Sequence, residues 1–340
     1  MKVYLYSGMQ SMIEKSGVGR AIYHQKFAAK QNQIGLAEGI SDAEIVHINT
    51  VFPKSFLLAK KAKRMGIPVV YHAHSTREDF KNSYIGSNLA ATLFGKWIKL
   101  CYNTGDVIVT PTEYSKKLLI SYGIKKTIEA VSNGIDLEFY DREKVKKAAF
   151  REKYGYTARQ KIIMSAGLTI DRKGITDFVE LARHMPQYQF IWFGESNLNT
   201  VPRKIRKAVC KKLPNLKFAG YVSPKELREA YAGCDLFLFP SKEETEGIVV
   251  LEALAMKIPV LIRDIPVYED WLKADRDVYK AKDIDEFYIK AMKILENRLP
   301  NLTETGYEVA KARSIDKIGM KLGEIYSECI TLNINTNELK

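Results

Sequence analysis

The chain has 340 residues, enough for about two domains at the usual size of roughly 100–200 residues each. A hydrophobic fraction of 46% and a charged fraction of 27% exclude a disordered or fibrous protein, and four scattered cysteines argue against a disulfide scaffold or zinc module. The net charge is +13, and residues 1–135 hold 18 Lys and Arg against 9 Asp and Glu, which favours a polyanionic partner. No apolar run approaches the roughly 18 residues of a transmembrane helix, so we expect a cytoplasmic protein.

Short apolar runs alternate with amphipathic ones along the whole chain, a pattern typical of α/β folds with parallel sheets. In the first half, the predicted strands are residues 3–6, 45–48, 67–71, 107–110 and 128–131, and the predicted helices are residues 56–64, 89–102 and 115–122. A polar stretch over residues 141–160 then separates a second series. Its predicted strands are residues 162–166, 189–193, 216–219, 236–239 and 259–262, with a helix over residues 248–256.

The pattern therefore predicts two doubly wound, Rossmann-like units. We assign residues 1–140 to the first and residues 141–313 to the second, and expect the amphipathic segment 314–330 to pack back on the first. Open parallel sheets bind ligands at the carboxyl ends of their strands. The expected site is therefore a cleft between two such units that face each other.

Two loops at predicted strand ends contain candidate phosphate-binding residues. Gly17 and Gly19 precede a helix, where backbone N–H groups can approach a phosphate, although a plain tight turn explains them equally well. The third glycine of the dinucleotide fingerprint is replaced by Ile22, which weakens a dehydrogenase interpretation. Arg172 and Lys173, before another helix, suit a diphosphate, and the alternative is a solvated turn.

Two histidines end the predicted strand over residues 67–71. Alternation places His72 and His74 on the same face at the sheet edge, which favours a functional role over a structural one. A metal pair is the competing interpretation, but the other three histidines do not lie at metal-ligand spacing.

The most informative segment runs from Phe239 to Ala255: a strand end, an acidic loop and a helix. Glu244 and Glu252 can face one ligand from the same side, and carboxylates accept pairs of hydroxyl hydrogens of the kind that sugars offer. The free N–H groups near Gly247 at the start of the helix can bind phosphate charge.

Two segments of the basic first half mix cations with large apolar residues. Residues 54–64 hold Lys60, Lys61, Lys63 and Arg64 beside Phe56 and two leucines. Residues 94–102 interleave two lysines with Trp97, Ile98 and Tyr102. Such basic amphipathic helices suit docking on an anionic membrane surface, and the alternative is that the lysines are merely solvated.

Taken together, these motifs resemble the family-4 retaining glycosyltransferases, which have the GT-B fold. The segment P-S-x2-E-T-x-G-x4-E from Pro240 to Glu252 resembles the family's Glu-x7-Glu signature, and residues 167–174 resemble its donor-phosphate loop. Val131 to Asp136 resembles its domain-crossing segment, and His74 matches a histidine that ends a first-domain strand. The first hundred residues are similar to Gram-positive synthases that add a hexose to glycosyl-diacylglycerol.

The resemblance implies a role for each candidate residue. Glu252 would bind the nucleotide ribose, Glu244 the donor hexose, Lys173 with the Gly17–Gly19 backbone the diphosphate, and His74 the sugar near its reacting carbon. The family often has Arg where this chain has Leu168, and Arg172 is our candidate for the missing cation. Retention without an obvious nucleophile suggests front-face attack, with the leaving diphosphate taking the acceptor's proton. No metal or other cofactor is expected.

The sequence thus predicts a hexosyltransferase that moves glucose or galactose from a UDP-sugar to a glycolipid acceptor. We expect the acceptor to be glucosyl-diacylglycerol, and the enzyme to be peripheral on the inner face of the cell membrane. The alternatives left open are diacylglycerol itself or a soluble or cell-wall saccharide as acceptor. A nucleic-acid-binding protein is a remote alternative, because the charge alone favours it and no nucleic-acid-binding module is present.

Overall fold

The structure is a computed structural model, and it describes residues 1–9, 13–14 and 16–338, without the side chains of residues 334–338. The described residues form two compact units. The first comprises residues 1–80, 90–136 and 313–340, and the second comprises residues 81–89 and 137–312.

The first unit is built on six described strands. These are β1 (Lys2–Tyr6), β2 (Gly35–Leu36), β3 (Ile45–Ile48), β4 (Val69–His72), β5 (Val107–Thr110) and β6 (Thr127–Ala130). All neighbours are parallel, in the order β2-β1-β3-β4-β5-β6. Strands β3, β4 and β5 are buried at every position, which explains their continuous apolar character: both faces of a parallel sheet are covered by helices.

Six described helices accompany the first sheet. They are α1 (Gly17–Gln31), α2 (Pro53–Arg64), α3 (Arg77–Phe80), α4 (Ser87–Tyr102), α5 (Glu113–Ser121) and the last helix of the chain, Ile315–Glu338. That last helix packs on α1 so closely that a Cβ at Gly319 would lie 2.8 Å from the carbonyl oxygen of Ala28. Its Leu322, Ile325 and Tyr326 are buried in the same core cluster as residues of β1, β4 and β5.

The second unit repeats the design. Its described strands are β7 (Ile162–Ala166), β8 (Gln189–Phe193), β9 (Leu216–Gly220), β10 (Leu236–Phe239), β11 (Val260–Arg263) and β12 (Tyr279–Ala281). They form a parallel sheet in the order β12-β11-β10-β7-β8-β9. Its helices are α6 (Lys147–Tyr154), α7 (Ile175–His184), α8 (Arg203–Val209), α9 (Pro224–Gly233), α10 (Ile248–Ala255), α11 (Ile284–Leu295) and α12 (Thr303–Lys311), so that the last helix of the chain is α13.

The predicted α/β fold with two parallel sheets is confirmed. The sequence analysis missed the strands β2 and β12, because two or three residues are too few to show an alternating pattern. It also missed helices such as α9 and α12, whose many charged residues resemble those of a loop.

The structure divides the chain differently from our expected boundaries at two places. The units change at residues 136/137, a few residues before the expected boundary at 140/141. In addition, residues 81–89 pack with the second unit although they interrupt the first. Backbone hydrogen bonds explain this: Ile85 N donates to Thr200 O at 2.9 Å, and Arg172 N donates to Asn82 O at 3.1 Å. No local pattern in the sequence marks such long-range pairing.

Candidate functional site

The second unit brings Lys173 and Glu244 together at the carboxyl end of its sheet. The loop with Lys173 follows β7, and the acidic loop follows β10, which is the neighbour of β7. Carboxyl ends of adjacent parallel strands share one edge, and open α/β sheets bind ligands there. A glycine is needed at position 174, where φ is +74° and a Cβ would lie 2.1 Å from the carbonyl oxygen of Pro240.

Glu244 is a buried carboxylate surrounded by donors. Its Oε1 lies 2.5 Å from Lys173 Nζ and 2.6 Å from Ser241 Oγ, and Arg172 Nη1 lies 3.8 Å away. Burial raises the pKa of Glu244, but the charges of Lys173 and Arg172 outweigh burial, so the net pKa is lowered. Glu244 is therefore ionised at neutral pH and can accept hydrogen bonds from hydroxyl groups.

Arg172 is held by protein groups. Its Nε donates to Ser83 Oγ at 3.3 Å and its Nη1 donates to the carbonyl oxygen of Glu243 at 2.8 Å, and the residue is only 8% exposed. These contacts fix the acidic loop beside Glu244. Leu168, where the family often has Arg, packs against the apolar core of the second unit. A direct contact of Arg172 with a diphosphate stays a prediction.

Glu252 lies on α10, five residues after the cap residue Gly247. Its Oε1 accepts from the hydroxyl of Tyr140 at 2.6 Å, and its Oε2 accepts from the hydroxyl of Tyr231 at 3.0 Å. The two tyrosine hydroxyls therefore orient the Glu252 carboxylate. Gly247 caps α10 with φ at +89°, and a Cβ there would lie 2.9 Å from the hydroxyl of buried Tyr268.

In the first unit, His74 follows β4 and its ring stacks on His72 with centroids 4.0 Å apart. Its Nε2 lies 2.9 Å from Asn49 Oδ1. His74 is 8% exposed, and burial lowers its pKa to about 3, so the ring is neutral at physiological pH. The prediction that both histidines lie at this sheet edge agrees with these contacts, and their role stays a prediction.

Gly17 and Gly19 are placed differently from our expectation of a loop. Both lie in the first turn of α1, which Ser16 caps by accepting from Gly19 N at 3.3 Å. A Cβ at Gly19 would lie 2.4 Å from the carbonyl oxygen of Ile13, so close backbone packing accounts for this glycine. At Gly17 a Cβ would meet nothing within 4 Å. Binding of a phosphate by these residues stays a prediction.

The basic segment of residues 60–64 is the exposed last turn of α2. Lys60, Lys63 and Arg64 line a shallow depression with Asn103, Thr104 and Lys126. Lys61 is exposed beside it, and Lys63 forms an ion pair with Asp106. The depression therefore gathers three cations from the end of α2 and a fourth, Lys126, from the residue before β6.

Trp97 points toward the protein. It is half-buried, its Nε1 donates to the carbonyl oxygen of Val51 at 2.6 Å, and its ring packs on Phe56 with centroids 5.6 Å apart. The large apolar side chains that α4 exposes are instead leucines: Leu89 is 90% exposed, Leu93 70% and Leu100 50%. The sequence could not distinguish these two sides, because both sides of α4 hold large apolar residues.

Several residues of the site were not singled out from the sequence. They are Ser241, Tyr140 and Tyr231 around the two glutamates, and Asn49 beside His74. Asn49 offered a weak signal, since it is a polar residue directly after a buried strand. Within residues 1–9, 13–14 and 16–338, no group of three His, Cys, Asp or Glu could hold a metal ion. No helix in the same residues is long and apolar enough to cross a membrane.

Known protein families match both halves of the chain. The model of Glycosyltransferase Family 4 matches residues 20–139, and the model of Glycosyl transferases group 1 matches residues 146–312. The chain is 42% identical over 334 residues to a processive diacylglycerol alpha-glucosyltransferase of Acholeplasma laidlawii, covering 98% of this chain and 99% of that protein. It is 28% identical over 260 residues to an alpha-galactosylglucosyldiacylglycerol synthase of Streptococcus pneumoniae, covering 75% and 69%.

Solved structures share the fold at low sequence identity. Anabaena Alr3699/HepE in complex with UDP and glucose matches with a TM-score of 0.75 at 15% identity, covering 96% of this chain and 99% of that one. A glycosyltransferase from Rickettsia africae matches with a TM-score of 0.69 at 15% identity, covering 97% and 98%.

Two parallel α/β units, with an ionised carboxylate and a lysine at the strand ends of the second, define the class of GT-B glycosyltransferases. The chain belongs to the family-4, group 1 glycosyltransferases and is an enzyme that transfers a glycosyl group. The family predicted from the motifs is thereby confirmed.

Proposed function

We propose that this enzyme transfers a hexose from a UDP-sugar to a diacylglycerol-based lipid, with retention of the anomeric configuration. The observation on which the donor site rests is the Glu244 carboxylate, held ionised next to Lys173 at a sheet edge. The relatives whose names include diacylglycerol support the lipid acceptor, and the Anabaena complexes with UDP and with UDP-glucose support the donor.

Each residue has a chemical task in this proposal. Lys173 and the N–H groups at the start of α10 bind the diphosphate, and Glu252 binds the ribose hydroxyls. Glu244 accepts hydrogen bonds from the hexose and stabilises positive charge that develops on its ring in the transition state. His74 contacts a hydroxyl of the same sugar.

The reaction needs no nucleophile from the protein. The acceptor oxygen bonds to the anomeric carbon on the face from which the diphosphate departs, and the leaving phosphate oxygen takes the acceptor's proton. Lys173 offsets the charge that grows on the diphosphate as the old bond breaks. Catalysis then consists of positioning and charge stabilisation.

We further propose that the acceptor is glucosyl-diacylglycerol, reached from the cytoplasmic side of an anionic membrane. Diacylglycerol is the competing acceptor, and the word "processive" in the name of the Acholeplasma relative fits an enzyme that uses both. The cations around Lys60 and the exposed leucines of α4 suit attachment to a bilayer, through headgroup charge and buried apolar area.

Product analysis with purified protein tests the function. Vesicles containing diacylglycerol or glucosyl-diacylglycerol are incubated with UDP-glucose or UDP-galactose, and the lipid products are identified by mass spectrometry and anomeric NMR. We expect an α-linked hexosyl lipid, formed more slowly by a factor of about 100 or more with Glu244→Gln. Transfer to soluble saccharides alone, or a β-linked lipid, would overturn the proposal.

A further inference from the structure

A hydrogen-bonded chain of buried side chains stands behind His74 in the first unit. The hydroxyl of Tyr326 lies 2.5 Å from His47 Nδ1, and His47 Nε2 lies 3.1 Å from His72 Nδ1. Gln25 Nε2 lies 3.0 Å from the same His72 nitrogen. The cluster joins α1, β3, β4 and α13.

Asn49 connects this cluster to His74. Its side-chain oxygen, Oδ1, accepts from Gln25 Nε2 at 2.8 Å and lies 2.9 Å from His74 Nε2. In the orientation that the structure gives the Asn49 and Gln25 amides, Oδ1 accepts from His74 Nε2, so Nε2 carries the proton. Reversing the Asn49 amide alone would set two NH₂ groups against each other at this distance, so the Asn49 and Gln25 amides are coupled and can reverse only together. Reversing both would place the His74 proton on Nδ1, which is the outcome that the NMR experiment below distinguishes.

The consequence for His74 is a single neutral tautomer. Nε2 is protonated and engaged, which leaves Nδ1 as the ring nitrogen with a lone pair for a ligand. The stacked His72 ring, nearly parallel at 5°, fixes the plane of the imidazole. Asn49 and Gln25 are both buried, so water does not compete for their hydrogen bonds.

We propose that Asn49 is a positioning residue that, held by Gln25, presents His74 Nδ1 as an acceptor for a substrate hydroxyl. This inference rests on the proposed function, in which His74 contacts the transferred sugar. It assigns His74 a defined chemistry: the imidazole accepts a hydrogen bond from the sugar and does not supply a proton to the leaving group.

The tautomer is tested directly by NMR. Protein labelled with ¹⁵N-histidine is compared with the His74→Gln variant, which assigns the His74 signals among the five histidines. We expect a long-range ¹H–¹⁵N spectrum of a neutral ring with Nε2 protonated. A ring protonated at Nδ1, or on both nitrogens at neutral pH, would overturn the inference. The spectrum needs no activity, so it fails or succeeds independently of the proposed function.

The positioning role is tested by Asn49→Ala, with Tyr326→Phe as the matched control. Asn49→Ala removes the buried hydrogen bonds to Gln25 and His74, and Tyr326→Phe removes the one to His47 in the same cluster, but only the first variant removes the acceptor of His74 Nε2. In Asn49→Ala we expect mixed His74 tautomers and a fall of roughly 10-fold or more in kcat, with a smaller change in KM for the UDP-sugar, because a misplaced group loses most in the transition state.

Tyr326→Phe should leave the His74 tautomer unchanged and keep kcat within about threefold of the parent enzyme, because the bond that it removes is purely structural. Equal losses of kcat in the two variants would show that the cluster only supports the fold and would overturn the positioning role. If Asn49→Ala does not fold, Gln25→Leu keeps the Asn49 oxygen but releases its orientation, and the same mixed tautomers are expected.

Discussion

Lys173 Nζ lies 2.5 Å from Glu244 Oε1, although the two residues are 71 positions apart in the chain. Each of them lies in the segment that follows one of two adjacent strands, β7 and β10. The lysine neutralises the buried carboxylate. In the proposed donor site, a bound diphosphate would compete with Glu244 for the same ammonium group, which would couple donor binding to the freedom of Glu244 to contact the hexose.

We expect Glu244→Gln to lower kcat by about 100-fold or more, because one directed charge contact to the transition state is lost. Lipid hexosylation measured at saturating donor checks this, with Glu180→Gln, a partly exposed carboxylate on α7 that pairs with Arg183, as the control. A variant that keeps turnover within threefold of the parent would contradict the assignment.

The same substitution leaves Lys173 and Arg172 without their common counter-charge. Breaking a buried ion pair typically costs about 3–5 kcal/mol, which is an upper limit here because the amide oxygen still accepts a hydrogen bond. The thermal unfolding midpoint of the variant should therefore be measured alongside its kinetics, to verify that the activity is assayed on folded protein.

We expect treatment with EDTA to leave transfer largely intact. In the proposed donor site, Lys173 and the start of α10 would supply the positive charge that a divalent ion provides in other transferases. The check is the initial rate in metal-depleted buffer before and after chelation. Loss of activity that Mn²⁺ or Mg²⁺ restores would contradict this account of the diphosphate site.

Replacing Lys60, Lys61, Lys63 and Arg64 together by Ser should weaken binding to anionic vesicles. Each cation near such a surface contributes about 1 kcal/mol, so the loss is roughly 4 kcal/mol at most, and high salt should mimic it. Vesicle flotation measures the effect. The matched control replaces four cations of the second unit, Arg203, Lys204, Lys207 and Lys211, and equal losses in both variants would reject a localised docking surface.

The apolar part of membrane attachment should depend on Leu89 and Leu93 of α4 and not on Trp97. Leu89→Ser with Leu93→Ser should reduce the salt-resistant fraction of binding at unchanged stability, because both side chains are largely exposed. Trp97→Ser should lower the thermal midpoint, since it removes a packed ring and a hydrogen bond. Flotation unaffected by the double leucine change would argue against α4 as the inserted element.

The first unit should lose stability as the pH falls below about 6.5. Burial lowers the pKa of His24, His47 and His74 to about 3 and that of His72 well below its usual value. The unfolded chain then binds more protons than the folded one, so the free energy of unfolding decreases by up to about 1.4 kcal/mol per pH unit for each histidine.

Four histidines together would give as much as about 5 kcal/mol per pH unit, a large part of a typical domain stability of about 5–15 kcal/mol. Urea unfolding between pH 8 and pH 5, followed by hydrogen exchange of first-unit peptides, measures the slope. Glu244, whose pKa is lowered, loses its stabilising charge only below about pH 4.5 and so does not contribute in this window. A urea midpoint independent of pH over that range would contradict the prediction. His24→Gln should lower the pH dependence of the free energy of unfolding by the contribution of one histidine.

The sequence by itself determined the parallel α/β architecture, the family and the strand-end loops with Lys173 and Glu244. These depend on local periodicity and on motifs of a few residues, which a chain displays before it folds. Only the tertiary structure decided which partners each side chain has. It placed Arg172 against Ser83 and turned Trp97 inward, both through contacts between residues more than 45 positions apart. It also set Asn49 against His74, because the carboxyl ends of β3 and β4 meet at one sheet edge, a proximity that depends on strand order and not on any local pattern.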